Sequence, residues 1–133
     1  MAGVVLDTDV LSFLFRNDPL AAAYRPHVAG ALAVISFQTL AEVRRWPLER
    51  NWGPNRIAQL EQHLRQFVVQ FANDDLCHRW AEVRVASKQA GHAIDTADAW
   101  HAATAIYLGV PLLSHNRRHY LGVPSLMLIS YAP

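Results

Sequence analysis

The feature that most limits what this chain can fold into is a repeated alternation. Short apolar, β-branched runs are each followed by a polar turn and then by a stretch of helical periodicity. Gly3-Val-Val-Leu6 ends in Asp7-Thr8-Asp9 and leads into the helix-like stretch Val10 to Asn17, which reads as strand, turn, helix. Pro19 suits the first turn of a second helix to about His27, and Leu32-Ala-Val-Ile35 is another buried-type strand. Ser36 or Thr39 is placed to cap the helical stretch Phe37 to Arg50, which Pro47 should kink or split near Trp46. Gly53-Pro54 is a clear break. Ile57, Leu60, His63, Leu64 and Phe67 recur at helical spacing, and Phe67 to Phe71 reads as a third strand. Asn73 caps a helix to about Gly91, with Leu76, Trp80, Val83 and Ser87 on one face. A further helix from Thr96 to Leu108, stopped by Gly109 and Pro111, precedes the strand Leu112-Leu113 and the apolar run Leu126 to Ile129. Such alternation predicts an α/β fold: three α/β/α layers around a parallel central sheet, with right-handed crossovers.

Composition narrows the class further. With 133 residues, 52% of them hydrophobic, and no repeat or long linker, residues 1–133 read as a single domain. No apolar run approaches the roughly 18 residues needed to cross a bilayer. The first residues lack a basic region and meet an acid at Asp7, so no signal or transit peptide is expected. The lone Cys77 cannot form an internal disulfide, which fits a cytoplasmic setting, and it reads as a small buried hydrophobe. Net charge is only +1, yet 11 of the 12 basic residues are Arg, whose forks match phosphate geometry. If Asp7, Glu42, Asp95 and Asp98 share one metal site, the remainder carries 12 basic against seven acidic residues. That balance could hold a polyanion around a neutralised acidic centre.

In parallel α/β sheets ligands bind beyond the carboxyl ends of the strands, where the chain switches direction around the sheet. Asp7 and Asp9 therefore matter, as do the residues from Ser36 onward and Ser114-His-Asn116. Asp7 has two readings: an acid pointing into that crevice, or a helix N-cap. Glu42 stands between small and apolar neighbours on a core-facing helix, where a lone acid is more often turned to solvent. The segment Gly91 to Ala105 says most. Asp98 and His101 share a helical face, the surrounding alanines let the helix lie close to a sheet, and Asp95 with Asp98 forms a capping arrangement. Capping accounts for one of these acids better than for both.

In their order and spacing these segments make a recognisable set. Leu6-Asp-Thr-Asp-Val-Leu11, Ile35 through Glu42-Val43, Ile94 through Ala105, Leu113-Ser-His-Asn-Arg-Arg-His-Tyr-Leu121 and Val123-Pro-Ser-Leu126 follow one another along nearly the whole chain. The chain resembles the VapC-like toxins of toxin–antitoxin pairs, members of the PIN-domain nucleases. The resemblance implies a PIN-like fold and a metal-dependent endoribonuclease acting on structured RNA, whether tRNA, rRNA or mRNA, that leaves 5′-phosphate and 3′-hydroxyl ends. It puts the metal-binding acids on Asp7, Glu42 and Asp98, with Asn116 at the fourth polar position of the catalytic set. It also implies a small antitoxin partner and a homodimer. Three positions depart from the usual pattern: Ser114 for Thr, His101 for an aliphatic residue, and Arg45-Trp-Pro47 for an aromatic-glycine step.

The implied chemistry explains the residue types. Mg²⁺ or Mn²⁺ prefers oxygen ligands and keeps several waters, so a few carboxylates and the substrate's phosphate oxygens complete its shell. Such ions lower the pKa of an attacking water and stabilise the leaving oxygen of an in-line displacement. Thr8, Asp9, Asp95 and Ser114 are then candidates for holding the ligands in place, Asp95 standing as either ligand or cap. The histidines show no zinc-site spacing, and His101 and His119 read as rim or satisfied residues. Arg44, Arg45, Arg50 and Arg56 could contact phosphate, and Trp46 and Trp52 could stack on bases or dock a partner; a solvated face and burial in a helical hairpin explain them as readily. Two rival functions stay open. One is an inactive PIN-like module that binds RNA or protein. The other is an aspartate-nucleophile phosphatase, which expects a later Lys to brace the phosphate where this chain offers only Lys88 in mid-helix.

Overall fold

Each apolar run has a neighbour to pair with, and helices between the runs carry the chain back across the sheet. The computed structural model describes residues 2–133. Among them, β1 (Gly3–Leu6), β2 (Leu32–Ser36), β3 (Val68–Gln70), β4 (Leu112–Leu113) and β5 (Leu128–Ile129) form one sheet in the order β3-β2-β1-β4-β5. All pairings are parallel, with Val5 opposite Val34 on one side and Leu112 on the other. The helices are α1 (Thr8–Arg16), α2 (Ala21–Val28), α3 (Phe37–Arg50), α4 (Pro54–Leu64), α5 (Asp74–Gln89) and α6 (Thr96–Leu108).

Strand alternation sends successive side chains to opposite faces, and this creates two cores. Val4, Leu6, Ala33, Ile35 and Leu113 pack with Val10, Leu11, Tyr24, Val43 and Leu60 from α1 to α4. Val5, Val34 and Leu112 pack with Leu76 and Val83 of α5 and with the alanine face of α6. The result is the three-layer α/β/α arrangement expected. Ala99, Ala102, Ala103 and Ala105 are wholly buried, so α6 lies directly against the sheet without long side chains between.

Local signals explain most boundaries. Ser36, Asn73 and Asp95 each accept a hydrogen bond from the backbone N–H three residues on, at the starts of α3, α5 and α6. Gly109, at φ 67, closes α6 in the left-handed region. Four expectations need correction. Pro47 does not split its helix: α3 runs unbroken to Arg50, and Trp52 N–H bonds back to the Pro47 carbonyl. Pro19 precedes α2 in a turn, and α2 begins only at Ala21. Cys77 is exposed, since it falls beside the Leu76-Val83-Ser87 face of α5 rather than on it. Lys88 sits in the last turn of α5, not mid-helix.

Candidate active site

β1 lies between β2, reached early in the chain, and β4, reached late, so the crevice over its carboxyl end is the switch point of the sheet. Asp7 stands there. Its backbone is extended at the N-cap of α1, and Oδ1 accepts the Thr8 N–H at 2.7 Å. Oδ2 accepts the Ser114 hydroxyl at 2.8 Å and the Tyr120 hydroxyl at 2.7 Å. Asp7 is thus a cap and a buried carboxylate over the sheet at once, only 4% exposed. Ser114 follows β4 directly, and the 3₁₀ turn Arg117–Tyr120 folds back so that the buried Tyr120 points at Asp7.

Two other segments bring acids to the same crevice. Asp98, in the first turn of α6, has Oδ2 at 2.9 Å from His119 Nδ1 and Oδ1 within 3.4 Å of the Tyr120 hydroxyl. Burial, then Asp7 and Asp95, push its carboxyl up from 3.8 to about 6, while His101 and His119 pull the other way. Glu42, on α3, is tied by the Thr8 hydroxyl and lies 3.4 Å from Gln38 Nε2, and Thr8 in turn meets Thr39 at 3.0 Å. Burial and the Asp7 charge push Asp9 up to about 7. Its carboxylate accepts the N–H groups of Val10 and His115, which fastens α1 to the loop after β4. Tyr120 is raised well above 10 by burial, Asp7 and Asp98, so its phenol stays a donor.

The expected residues divide cleanly. Asp7, Glu42 and Asp98 share the crevice, and Thr8, Asp9 and Ser114 hold them or their elements in place. Asp95 is the exposed N-cap of α6, accepting from Asp98 N–H at 2.8 Å. Asn116 is exposed, and its backbone N–H reaches the site through Ser114 Oγ at 3.1 Å. The arginines of α3 and α4 lie elsewhere: Arg44 pairs with Glu61, and Arg45 with Glu49 at 2.9 Å. Arg50 lies over Trp46 and Trp52, and Arg56 over Phe15 and Trp52, in an aromatic cluster whose rings also pack on the core.

Tyr120 is the residue whose place sequence reasoning missed, and of the two readings of His101 the satisfied histidine holds and the rim does not. His101 is no rim residue: it is 1% exposed at the floor of the crevice, its Nδ1 2.8 Å from Ser36 Oγ. Its Nε2 is 3.6 Å from Asp7 Oδ1 and 3.9 Å from Glu42 Oε2. Arg118 and His119 also border a cavity of about 290 Å³ with Asp95 and Asp98. Arg118 makes no ion pair or hydrogen bond among the described residues.

The donor set suits a divalent cation. Asp7, Asp98 and His101 each offer one ligand atom, all within 4.8 Å of one another. Asp7 and Asp98 crowded this closely repel, which adds to the burial that raises the Asp98 carboxyl, and a cation relieves that repulsion.

A sheet switch point lined by carboxylates from the end of β1, from α3 and from α6 makes this an α/β protein with an acidic crevice over its sheet. The PIN domain family model matches residues 4–121, and the chain belongs to that family. It is 25% identical over 124 residues to Ribonuclease VapC1 of Haemophilus influenzae, covering 92% of each chain. The structure of VapBC-1 from nontypeable Haemophilus influenzae superposes with a TM-score of 0.80 at 25% identity, over 96% of each chain. A toxin–antitoxin complex from Klebsiella pneumoniae shares the fold, with a TM-score of 0.78 at 20% identity over 98% of this chain and 100% of that one.

Proposed function

We propose that this chain is an endoribonuclease dependent on Mg²⁺ or Mn²⁺, and that it acts as the toxin of a toxin–antitoxin pair in the cytoplasm. The observation that carries the reading is the meeting of Asp7, Asp98 and His101, whose ligand atoms lie within 4.8 Å of one another, with Glu42 Oε2 3.9 Å from His101 Nε2. Its relationship to a ribonuclease along nearly its whole length supports the same conclusion.

Asp7, Glu42 and Asp98 would hold the cation. When bound, the ion supplies Lewis-acid activation of water and neutralises charge at the phosphodiester. The chain's own residues fix the ligands. Ser114 and Tyr120 aim one oxygen of Asp7, Thr8 aims Glu42, and His119 and Tyr120 orient Asp98. Arg118, free on the rim beside Asp98, is placed to take a substrate phosphate, with Asn116 farther along the same turn. The arginines of α3 and α4 are held by acids and aromatic rings, so that hairpin suits a protein partner better than RNA.

The substrate we favour is a structured RNA cut in a single-stranded loop, where an in-line phosphodiester is accessible. The partners are a small antitoxin and a second copy of the chain. The test is cleavage of a mixed RNA pool with Mg²⁺, Mn²⁺ or chelator. Cleavage with either ion and none in chelator supports the reading; equal cleavage in all three, or none in any, overturns it.

A further inference from the structure

His101 occupies a position that a purely oxygen-ligated Mg²⁺ site has no need of. It is an imidazole at the floor of a carboxylate crevice, buried and held from behind. Its Nδ1 faces two hydroxyl oxygens, Ser36 Oγ at 2.8 Å and Thr39 Oγ1 at 3.3 Å. Ser36 is itself buried and fixed by the Thr39 N–H at 3.1 Å, so the ring cannot swing. With Nδ1–H donated to these oxygens, Nε2 turns its lone pair into the crevice. A ring nitrogen fixed by a hydrogen bond on the far side is how protein imidazoles are presented to metals.

The spacing on the open side agrees. At 3.6 Å from Asp7 Oδ1 and 3.9 Å from Glu42 Oε2, Nε2 is too far for a hydrogen bond to either. Two ligand atoms bonded at about 2.1 Å to one ion stand roughly 3 Å apart at right angles and about 4 Å apart at the widest angle. Both distances fall in that interval.

We propose that His101 Nε2 is a direct ligand of the cation at this site, beside Asp7, and that it makes this chain select Mn²⁺ or a related borderline ion over Mg²⁺. The inference rests on the metal-dependent reading above and deepens it by naming a nitrogen in the ligand set. Imidazole binds transition ions well and Mg²⁺ poorly, whereas carboxylates serve both, so the nitrogen shifts the choice without adding charge. Asp7 and Asp98 supply the oxygens grouped with it, Glu42 stands 3.9 Å away, and Ser36 and Thr39 are positioning residues that act through the ring.

The test is pulsed electron paramagnetic resonance of the full chain, stripped with chelator and loaded with one equivalent of Mn²⁺. The expected result is the modulation of a directly coordinated nitrogen. It should change to the ¹⁵N pattern when the protein is grown on labelled histidine, persist in His119→Gln and vanish in His101→Leu. Competition titrations should show the Mn²⁺ over Mg²⁺ preference falling by roughly tenfold or more in His101→Leu. Mn²⁺ bound with no coordinated nitrogen in the wild type overturns the proposal and leaves the metal-dependent reading standing. A nitrogen signal lost in His119→Gln instead assigns the ligand to the wrong residue here and overturns it too. If one equivalent of Mn²⁺ stays free in solution, both the proposal and the reading beneath it fail.

Discussion

Tyr120→Phe removes a single oxygen and leaves a buried ring in place, which makes its effect calculable. The hydroxyl donates to Asp7 Oδ2 at 2.7 Å in a buried setting. Hydrogen bonds to charged groups contribute about 1.5–3 kcal/mol. Ser114 still donates to the same oxygen at 2.8 Å, so the loss belongs at the lower end, about 1.5 kcal/mol. For a domain of this size that lowers the melting temperature by roughly 4–8 °C. Ser114→Ala takes away the other donor and should cost a similar amount. The double variant leaves a buried carboxylate oxygen with neither, so its loss should exceed the sum of the singles by about 1 kcal/mol or more. The assay is a double-mutant cycle from urea and thermal melts in chelator at one pH. A Tyr120→Phe melt within about 1 °C of wild type, or singles that add to within roughly 0.5 kcal/mol, would refute the reasoning.

Three further outcomes follow from the same geometry. The Asp98 and Asp9 carboxyls, raised to about 6 and about 7, bind protons more tightly in the folded chain than in the unfolded one. Their effect is absent below about pH 4, and the metal-free fold loses stability progressively from there until the two carboxyls ionise in the folded chain near 6 and 7, above which the loss is constant. Melts in chelator from pH 4.5 to 8 should therefore fall less steeply with pH in Asp9→Asn than in wild type, and an equal or steeper fall contradicts the assignment. Gly122→Ala would drive a Cβ into the His92 carbonyl oxygen and to 2.8 Å from Ser87 Cβ, so we expect a loss of about 1–3 kcal/mol in denaturant melts; unchanged stability argues against this close approach. The aromatic cluster of Phe15, Trp46 and Trp52 is the expected antitoxin contact, and Trp46→Ala should weaken capture of the adjacently encoded small protein; capture unaffected by changing both tryptophans refutes that placement.

Much of this was legible in the sequence, for identifiable reasons. Asp7 and Ser114 each follow a short apolar strand directly, and strand ends are where a parallel sheet puts its site. The alanines around Asp98 announce a helix pressed on the sheet, and Asp95 is the cap its spacing suggests. Where the reading failed, the missing information was tertiary. Whether His101 faces rim or floor depends on the rotation of α6 against α3, which places its ring over Ser36. Tyr120 matters only because the 3₁₀ turn doubles back to Asp7. Arg50 and Arg56 looked like phosphate contacts because the pairing of Trp46 with Trp52, which occupies them, depends on the closure of α3 on α4. Pro47 leaves α3 intact because it costs only one bond, the one its missing N–H would have made to the Val43 carbonyl, close to the helix end, where Trp52 N–H bonds the Pro47 carbonyl and closes the last turn.

The central claim is that Asp7, Glu42 and Asp98 form the site of metal-dependent RNA cleavage. The measurement that tests it is RNA cleavage in Mg²⁺ and in Mn²⁺ by Asp7→Asn, Glu42→Gln and Asp98→Asn, each paired with a thermal melt in chelator, with Asp95→Asn as control. Removing one carboxylate takes a ligand from the cation, so each of the three should lose activity by orders of magnitude. Asp98→Asn should also melt no lower than wild type, because the change relieves repulsion among the remaining acids. Asp95→Asn should keep measurable activity, since asparagine still caps α6. An Asp98→Asn protein that cuts RNA like the wild type would mean that the chemistry takes place somewhere else.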